Sequence, residues 1–131
     1  MYNVIVADDE KNIREGIVEL IEWEKLGCKV CASMQNGAQV LKYLEEEKIH
    51  VDIIITDIKM PIMDGMELIG MLNERFPDIK VIILTAYSDF TYAQQAIKFQ
   101  VSDFVVKNDF FLELPRAVKK IIEQCEVDAK K

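Results

Sequence analysis

The sequence predicts an α/β fold, a three-layer sandwich in which helices cover a parallel sheet. Two observations carry this. Five short β-branched runs alternate strictly with five helical patterns, and such alternation argues for a parallel sheet between helical layers. Three of the runs, Val4-Ile5-Val6, Ile53-Ile54-Ile55 and Val81-Ile82-Ile83-Leu84, are apolar throughout, as befits central parallel strands covered on both faces.

In chain order, the first strand is Asn3 to Ala7, followed by a helical stripe of Ile13, Ile17, Leu20 and Ile21. The second strand, Cys28 to Ala32, sets Cys28, Val30 and Ala32 against Lys29, Cys31 and Ser33, the alternation of a half-covered edge strand. Ala38, Leu41 and Leu44 mark the second helix, and Asp52 to Thr56 the third strand. Asp64 with Glu67 forms a capping pair ahead of Leu68 and Leu72 in the third helix. Lys80 to Thr85 is the fourth strand, and Ala93, Ala96 and Ile97 a weaker fourth helix. Asp103 to Val106 is the fifth strand, and Leu114, Val118, Ile121, Ile122 and Cys125 mark the last helix. Pro115 would break that helix in its interior but is tolerable in its first turn. With no linker, repeat or low-complexity stretch, the chain reads as one domain over residues 1–127 and a short charged tail from Asp128 to Lys131.

Composition excludes several classes of partner. The chain has 131 residues, 23 acidic and 16 basic, for a net charge of −7. DNA affinity comes largely from Lys and Arg neutralising phosphates, so direct nucleic-acid binding is disfavoured, as is an anionic membrane surface. The longest apolar stretch, Ile53 to Met71, is interrupted by Asp57, Lys59, Asp64 and Glu67 and cannot span a bilayer. The N-terminus has no basic region before its apolar residues, which argues against a signal peptide. Three cysteines without a pairing framework fit a reducing cytosol, and the expected location is cytoplasmic. Cys28-Lys29-Val30-Cys31 has redox spacing, but residues three apart in a strand point to opposite faces, so two packing thiols are expected.

In open parallel sheets, ligands bind beyond the carboxyl ends of the strands. The first strand ends in Asp8-Asp9, the third in Thr56-Asp57, the fourth in Thr85-Ala86 and the fifth in Val106-Lys107. Each alone reads more readily as a cap or turn former, and Asp8 or Asp9 could cap the first helix. Five such groups at one edge point to a site. Three crowded carboxylates repel one another, and a divalent cation removes the conflict. Oxygen ligands without His or Cys suit Mg²⁺ and argue against zinc. Asp57, on a loop at the sheet edge, is placed as a carboxylate nucleophile for phosphoryl transfer, which needs little beyond positioning and charge neutralisation. The cation, the Lys107 ammonium and the Thr85 hydroxyl could each take one phosphoryl oxygen.

These residues, with Asp57-Ile58-Lys59-Met60-Pro61-Ile62-Met63-Asp64-Gly65, Thr85-Ala86 and Phe104-Val105-Val106-Lys107, make the chain resemble, over nearly its whole length, the receiver domain of bacterial two-component response regulators. The resemblance implies a flavodoxin-like, doubly wound (βα)5 sandwich of strand order 2-1-3-4-5. It implies that Asp57 accepts a phosphoryl group from a phosphohistidine of a sensor histidine kinase. It also implies that Asp9, Asp57 and the Lys59 backbone carbonyl hold Mg²⁺, that Asp8 acts mainly through bound water, and that Lys107 contacts the acyl phosphate. Thr85 and Phe104 match the family's switch pair, which reshapes the face of the fourth helix, fifth strand and fifth helix. A Phe104 ring without a hydroxyl favours the inward position even before phosphorylation. Lys59 and Tyr87 stand two residues after Asp57 and Thr85, where they flank the path of attacking water and could tune the phosphoryl lifetime, though both could equally point to solvent.

Softer motifs, Ile21-Glu22-Trp23, Leu26-Gly27 and Ala86 to Ile97, are similar to regulators whose receiver precedes an AraC-type helix-turn-helix. The resemblance thus implies transcription regulation through a DNA-binding output domain outside this chain, and is compatible with homodimerisation on phosphorylation. One departure concerns the residue after the lysine, usually proline in the family and here Asn108. The family's Lys-Pro bond is commonly cis, and a non-proline cis bond costs about 3 kcal/mol, so either the bond here is trans and the loop from Lys107 to Phe111 is reshaped, or it is strained. The enzyme alternative is a Mg²⁺-dependent aspartate-nucleophile phosphatase, but its second Asp, two residues on, is replaced by Lys59. An FMN carrier is disfavoured because Asp8-Asp9-Glu10 would repel the cofactor's phosphate. His50 is expected to be exposed and Trp23 to pack the loop after the first helix; Phe110, Phe111 and Tyr92 could serve an exposed partner face, but core packing is the expectation.

Overall fold

Alternate side chains of the inner strands go to opposite faces of the sheet, and the core divides accordingly. The computed structural model describes residues 1–86, 91, 94 and 101–130. Its strands β1 (Tyr2–Ala7), β2 (Cys28–Met34), β3 (Ile53–Asp57), β4 (Lys80–Thr85) and β5 (Asp103–Val106) form one sheet of order β2-β1-β3-β4-β5. Every pairing in it is parallel. On one face Val4, Val6, Ile53, Ile55, Ile82 and Leu84 meet Ile17 of α1 (Lys11–Leu20) and Leu114, Val118 and Ile121 of the C-terminal helix (Phe110–Ala129). On the other, Ile5, Ile54, Val81 and Ile83 meet Val40 and Leu41 of α2 (Gly37–Glu46) and Leu68, Ile69 and Leu72 of α3 (Gly65–Arg75). Each fully buried Ile or Leu contributes about 1.5–3 kcal/mol, so the expected doubly wound sandwich rests on two dry layers.

Caps and turns follow the local chemistry. The Asp64 carboxylate accepts the Glu67 amide at 2.9 Å and opens α3, as the capping pair predicts. Asn36 does the same for α2 through the Gln39 amide, also at 2.9 Å. The β1–β2 register slips between Val4 and Ile5, passing over Cys31, whose thiol donates to the Val4 carbonyl. Cys28 lies in one core layer and Cys31 packs against the other, so they are separate packing thiols. Burial pushes the Cys28 thiol up to about 11. Trp23 is buried in a 3-10 turn after α1 (Trp23–Leu26), its indole donating to the Ile17 carbonyl, while His50 is exposed.

Four expectations need correction. Leu20 is exposed, because Ile13, Ile17 and Ile21 recur every four residues and Leu20 turns away from that line. Phe110 packs against the core beside Gly16, but Phe111 is exposed, since the inward line of the C-terminal helix runs through Leu114, Ala117, Val118 and Ile121. Pro115 stands in the second turn of that helix, not the first. The carbonyl deprived of its partner amide belongs to exposed Phe111, where water can replace it. The same helix runs through Ala129, two residues into the stretch expected as a tail. The fourth helical stripe and Tyr92 lie outside the described residues.

Leu114 is fully buried and Leu112 is 72% exposed, which sets up a paired test. Leu114→Ala should lower the free energy of unfolding by about 3 kcal/mol in urea titrations, and Leu112→Ala should change it by less than about 0.5 kcal/mol.

Candidate functional site

Because all five strands are parallel, their carboxyl ends open on one edge, and that edge collects the polar residues the strands themselves could not bury. Asp8 follows β1, Asp57 and Thr85 end β3 and β4, and Lys107 follows β5. All four are buried, although each is polar or charged.

The backbone around Asp57 is tightly held. Its Oδ1 accepts the Ile58 amide at 2.8 Å, and its carbonyl accepts the Thr56 hydroxyl at 2.9 Å. The Gly65 amide donates to the Ile58 carbonyl at 2.7 Å, bringing the start of α3 against this loop. A Cβ at position 65 would collide with the Asp57 carbonyl oxygen, so only glycine allows that approach. Between them, Ile62 has φ +67° beneath a Met63 amide to Pro61 carbonyl bond of 2.7 Å. A β-branched residue with positive φ is strained.

The Lys107 ammonium is the hub. Nζ lies 3.0 Å from Asp57 Oδ2, 3.2 Å from Asp8 Oδ1 and 2.7 Å from Glu10 Oε1. Asp8 Oδ2 is 3.0 Å from the same nitrogen, yet it is not aligned to accept and has no hydrogen bond. Nearness without alignment gives it Coulomb attraction only. Burial and the neighbouring Asp8 carboxylate raise Asp57 to about 7, with Lys107 and the Ile58 amide pulling the other way. Burial also raises Asp8, against the Glu10 amide and Lys107. Burial disfavours the Lys107 charge, but the hydrogen bonds to Glu10, Asp8 and Asp57 outweigh it and lift its pKa above the ordinary lysine range.

One ammonium does not fully compensate these carboxylates. Oxygen atoms of Asp8, Asp9 and Asp57 come within 4.8 Å of one another, with Asp9 exposed at the rim. An all-oxygen set with an orphaned buried carboxylate oxygen fits a hard divalent cation. The expected acidic group is therefore brought together as the strand ends predict.

The remaining expected residues are placed unevenly. The Thr85 hydroxyl donates to the Ala86 carbonyl at 3.0 Å. Phe104 is half-buried, packed against the layer that holds Ile83. Lys59 is exposed, and Tyr87 lies outside the described residues. No peptide bond among the described residues is cis; Lys107–Asp109 forms a 3-10 turn that delivers the lysine inward. Two contributors escaped the sequence reading. Glu10 is the third member of an acidic run whose first two members drew the attention. Arg14 donates to the Asp8 carbonyl at 2.7 Å from α1, and nothing in its neighbours signals that reach.

Fold and site together define a class: a doubly wound α/β domain with a cation-ready acidic cleft, centred on one lysine, at the carboxyl edge of its sheet. The family model for the response regulator receiver domain matches residues 4–119, and the chain belongs to that family, a receiver domain of two-component signalling. It is 38% identical over 107 residues to the uncharacterized transcriptional regulatory protein YesN of Bacillus subtilis, covering 82% of this chain and 28% of that protein. The transcriptional regulatory protein HptR of Staphylococcus aureus is 30% identical over 128 residues, covering 95% of this chain and 49% of that protein. The chain thus spans half or less of the length of these two relatives. Among solved structures, the receiver (REC) domain of AraT from Geobacillus stearothermophilus superposes with a TM-score of 0.83 at 37% identity, covering 95% of this chain and 98% of that one. No helix among the described residues is long and apolar enough to cross a membrane.

Two measurements test this geometry. In the metal-free chain, folding raises Asp57 from about 4 to about 7, so the native state binds the extra proton and stability falls as pH rises across that window. The stability advantage of Asp57→Asn over wild type in EDTA should therefore grow from about pH 4 and level off above about 7, and saturating Mg²⁺ should narrow it. Ile62 is 83% exposed, so relieving its backbone loses little burial; Ile62→Asn should raise the thermal midpoint, by about 1 kcal/mol of stability.

Proposed function

We propose that this domain is a phosphorylation-dependent switch in which Asp57 accepts a phosphoryl group from the phosphohistidine of a sensor histidine kinase. The observation that carries the reading is the Lys107 ammonium, buried within hydrogen-bonding distance of both Asp8 and Asp57 at the edge where the family's motif residues gather. Asp8, Asp9 and Asp57, with the Lys59 backbone carbonyl, would hold Mg²⁺. When bound, that ion supplies charge neutralisation for the incoming phosphoryl oxygens.

The chain's own residues account for the rest. The Ile58 amide and Lys107 orient the Asp57 carboxylate, leaving it little freedom to lose on attack. A carboxylate oxygen forms the bond to phosphorus while the donor leaves with its bonding pair. Lys107 then turns to a phosphoryl oxygen, and Thr85 exchanges its bond to the Ala86 carbonyl for another. Phe104 follows into the space the hydroxyl vacates, which biases the adjoining face between two states. Lys59 and Tyr87 would tune the lifetime by obstructing water. The output is assigned to a DNA-binding domain of AraC type outside this chain on the motifs Ile21-Glu22-Trp23 and Leu26-Gly27. The likeness to a transcriptional regulatory protein supports control of transcription, and homodimerisation on phosphorylation would couple the two. A cytoplasmic location fits this role.

Incubation with Mg²⁺ and acetyl phosphate should add one phosphoryl group to the intact mass, and Asp57→Ala should abolish the adduct. Unchanged mass together with steady turnover of phosphomonoesters would instead indicate the aspartate-nucleophile phosphatase.

A further inference from the structure

We propose that Glu10 is a placeholder on Lys107, holding the ammonium until a phosphoryl oxygen takes its position, and that it thereby sets how readily Asp57 takes up phosphate. The proposal rests on the phosphoacceptor reading above. An ammonium has three N–H donors, and three carboxylates, those of Asp8, Asp57 and Glu10, surround Nζ. The shortest contact, 2.7 Å, is to Glu10. That side chain is 60% exposed, whereas those of Asp8, Asp57 and Lys107 are 0%, 7% and 7% exposed. A phosphodonor arrives from solvent, so of the three carboxylates Glu10 is the one that can leave Lys107 for water.

Side-chain capping does not explain the residue. Glu10 occupies the N-cap of α1 without making a side-chain cap, a position where Ser, Thr, Asp or Asn would do better. Its backbone is nevertheless tied to the site, since the Glu10 amide donates to Asp8 Oδ1 at 2.8 Å. The main chain is fixed while the carboxylate can swing. During uptake an Asp57 oxygen bonds to phosphorus, the bond from phosphorus to acetate breaks, and acetate leaves with the electron pair; no proton moves. The dianionic group now shares the cleft with Glu10, and like charges drive the carboxylate out as Lys107 turns inward. Glu10 is thus a positioning residue that acts through Lys107.

The test is adduct formation with acetyl phosphate and Mg²⁺, followed by intact mass, in wild type, Glu10→Ala and Glu10→Asp. With the competitor removed, Glu10→Ala should lower the half-saturating acetyl phosphate about three- to fivefold, the factor an exposed ion pair can carry, with little change in maximal rate. Binding of beryllofluoride, followed by ¹⁹F NMR, should tighten by the same factor. Glu10→Asp keeps the charge but shortens the reach, and should track Glu10→Ala. Wild-type behaviour from Glu10→Asp would mean that Glu10 acts only through its field, and would overturn the placeholder. An unchanged or weaker response from Glu10→Ala, with a normal wild-type adduct, would overturn it too. Absence of any wild-type adduct would instead remove the phosphoacceptor reading and the proposal with it.

Discussion

A single buried ammonium makes the carboxyl edge of this sheet possible. Asp8 and Asp57 lie where water is nearly excluded, and both are raised by that burial. Lys107 reaches them from the far strand end, 99 and 50 residues away in sequence. Removing that ammonium would leave buried carboxylates uncompensated, typically a loss of about 3–5 kcal/mol. The group is also incompletely balanced, with one carboxylate oxygen of Asp8 lacking any hydrogen bond. A structure optimised only for stability would not keep that arrangement; a site that receives a cation and a charged group has reason to.

The rest of the fold serves this edge by packing beneath it. Two apolar layers cover the sheet from both sides and set where its strand ends lie. Gly65 brings α3 against the Asp57 backbone, and the Ile62 turn between them is strained. Strain of this kind persists where the surrounding structure over-determines it, and such positions cluster near functional sites. The surface shows the opposite economy: Leu20, Phe111 and Leu112 stay exposed on the α1 and C-terminal helix side, where the helical inward lines have already been filled.

Much of the architecture was legible because its causes are periodic. Runs such as Ile53-Ile54-Ile55 and the four-residue spacing of Ile13 and Ile17 state which face is buried, and the capping chemistry of Asp64 is local. The same logic failed where a residue sat one step off the line, as Leu20 and Phe111 did, because amphipathic stripes are wider in sequence than in contact. Pro115 was misplaced for a related reason. A helix can absorb a missing amide when the deprived carbonyl belongs to an exposed residue, and exposure is a property of the packed molecule.

What the sequence alone determined is the alternation of strands and helices, and which strands end in Asp8, Asp57, Thr85 and Lys107. Strand ends of a parallel sheet share one edge, so their convergence follows from topology. Only the tertiary structure decided how the charges pair. Lys107 departs from β5 through a 3-10 turn at a non-proline junction and lands on three carboxylates. Glu10 and Arg14 join the site through side-chain reach that no pattern encodes. Periodicity reports burial, whereas pairing depends on distances between segments far apart in the chain, and those distances exist only once the sheet has closed.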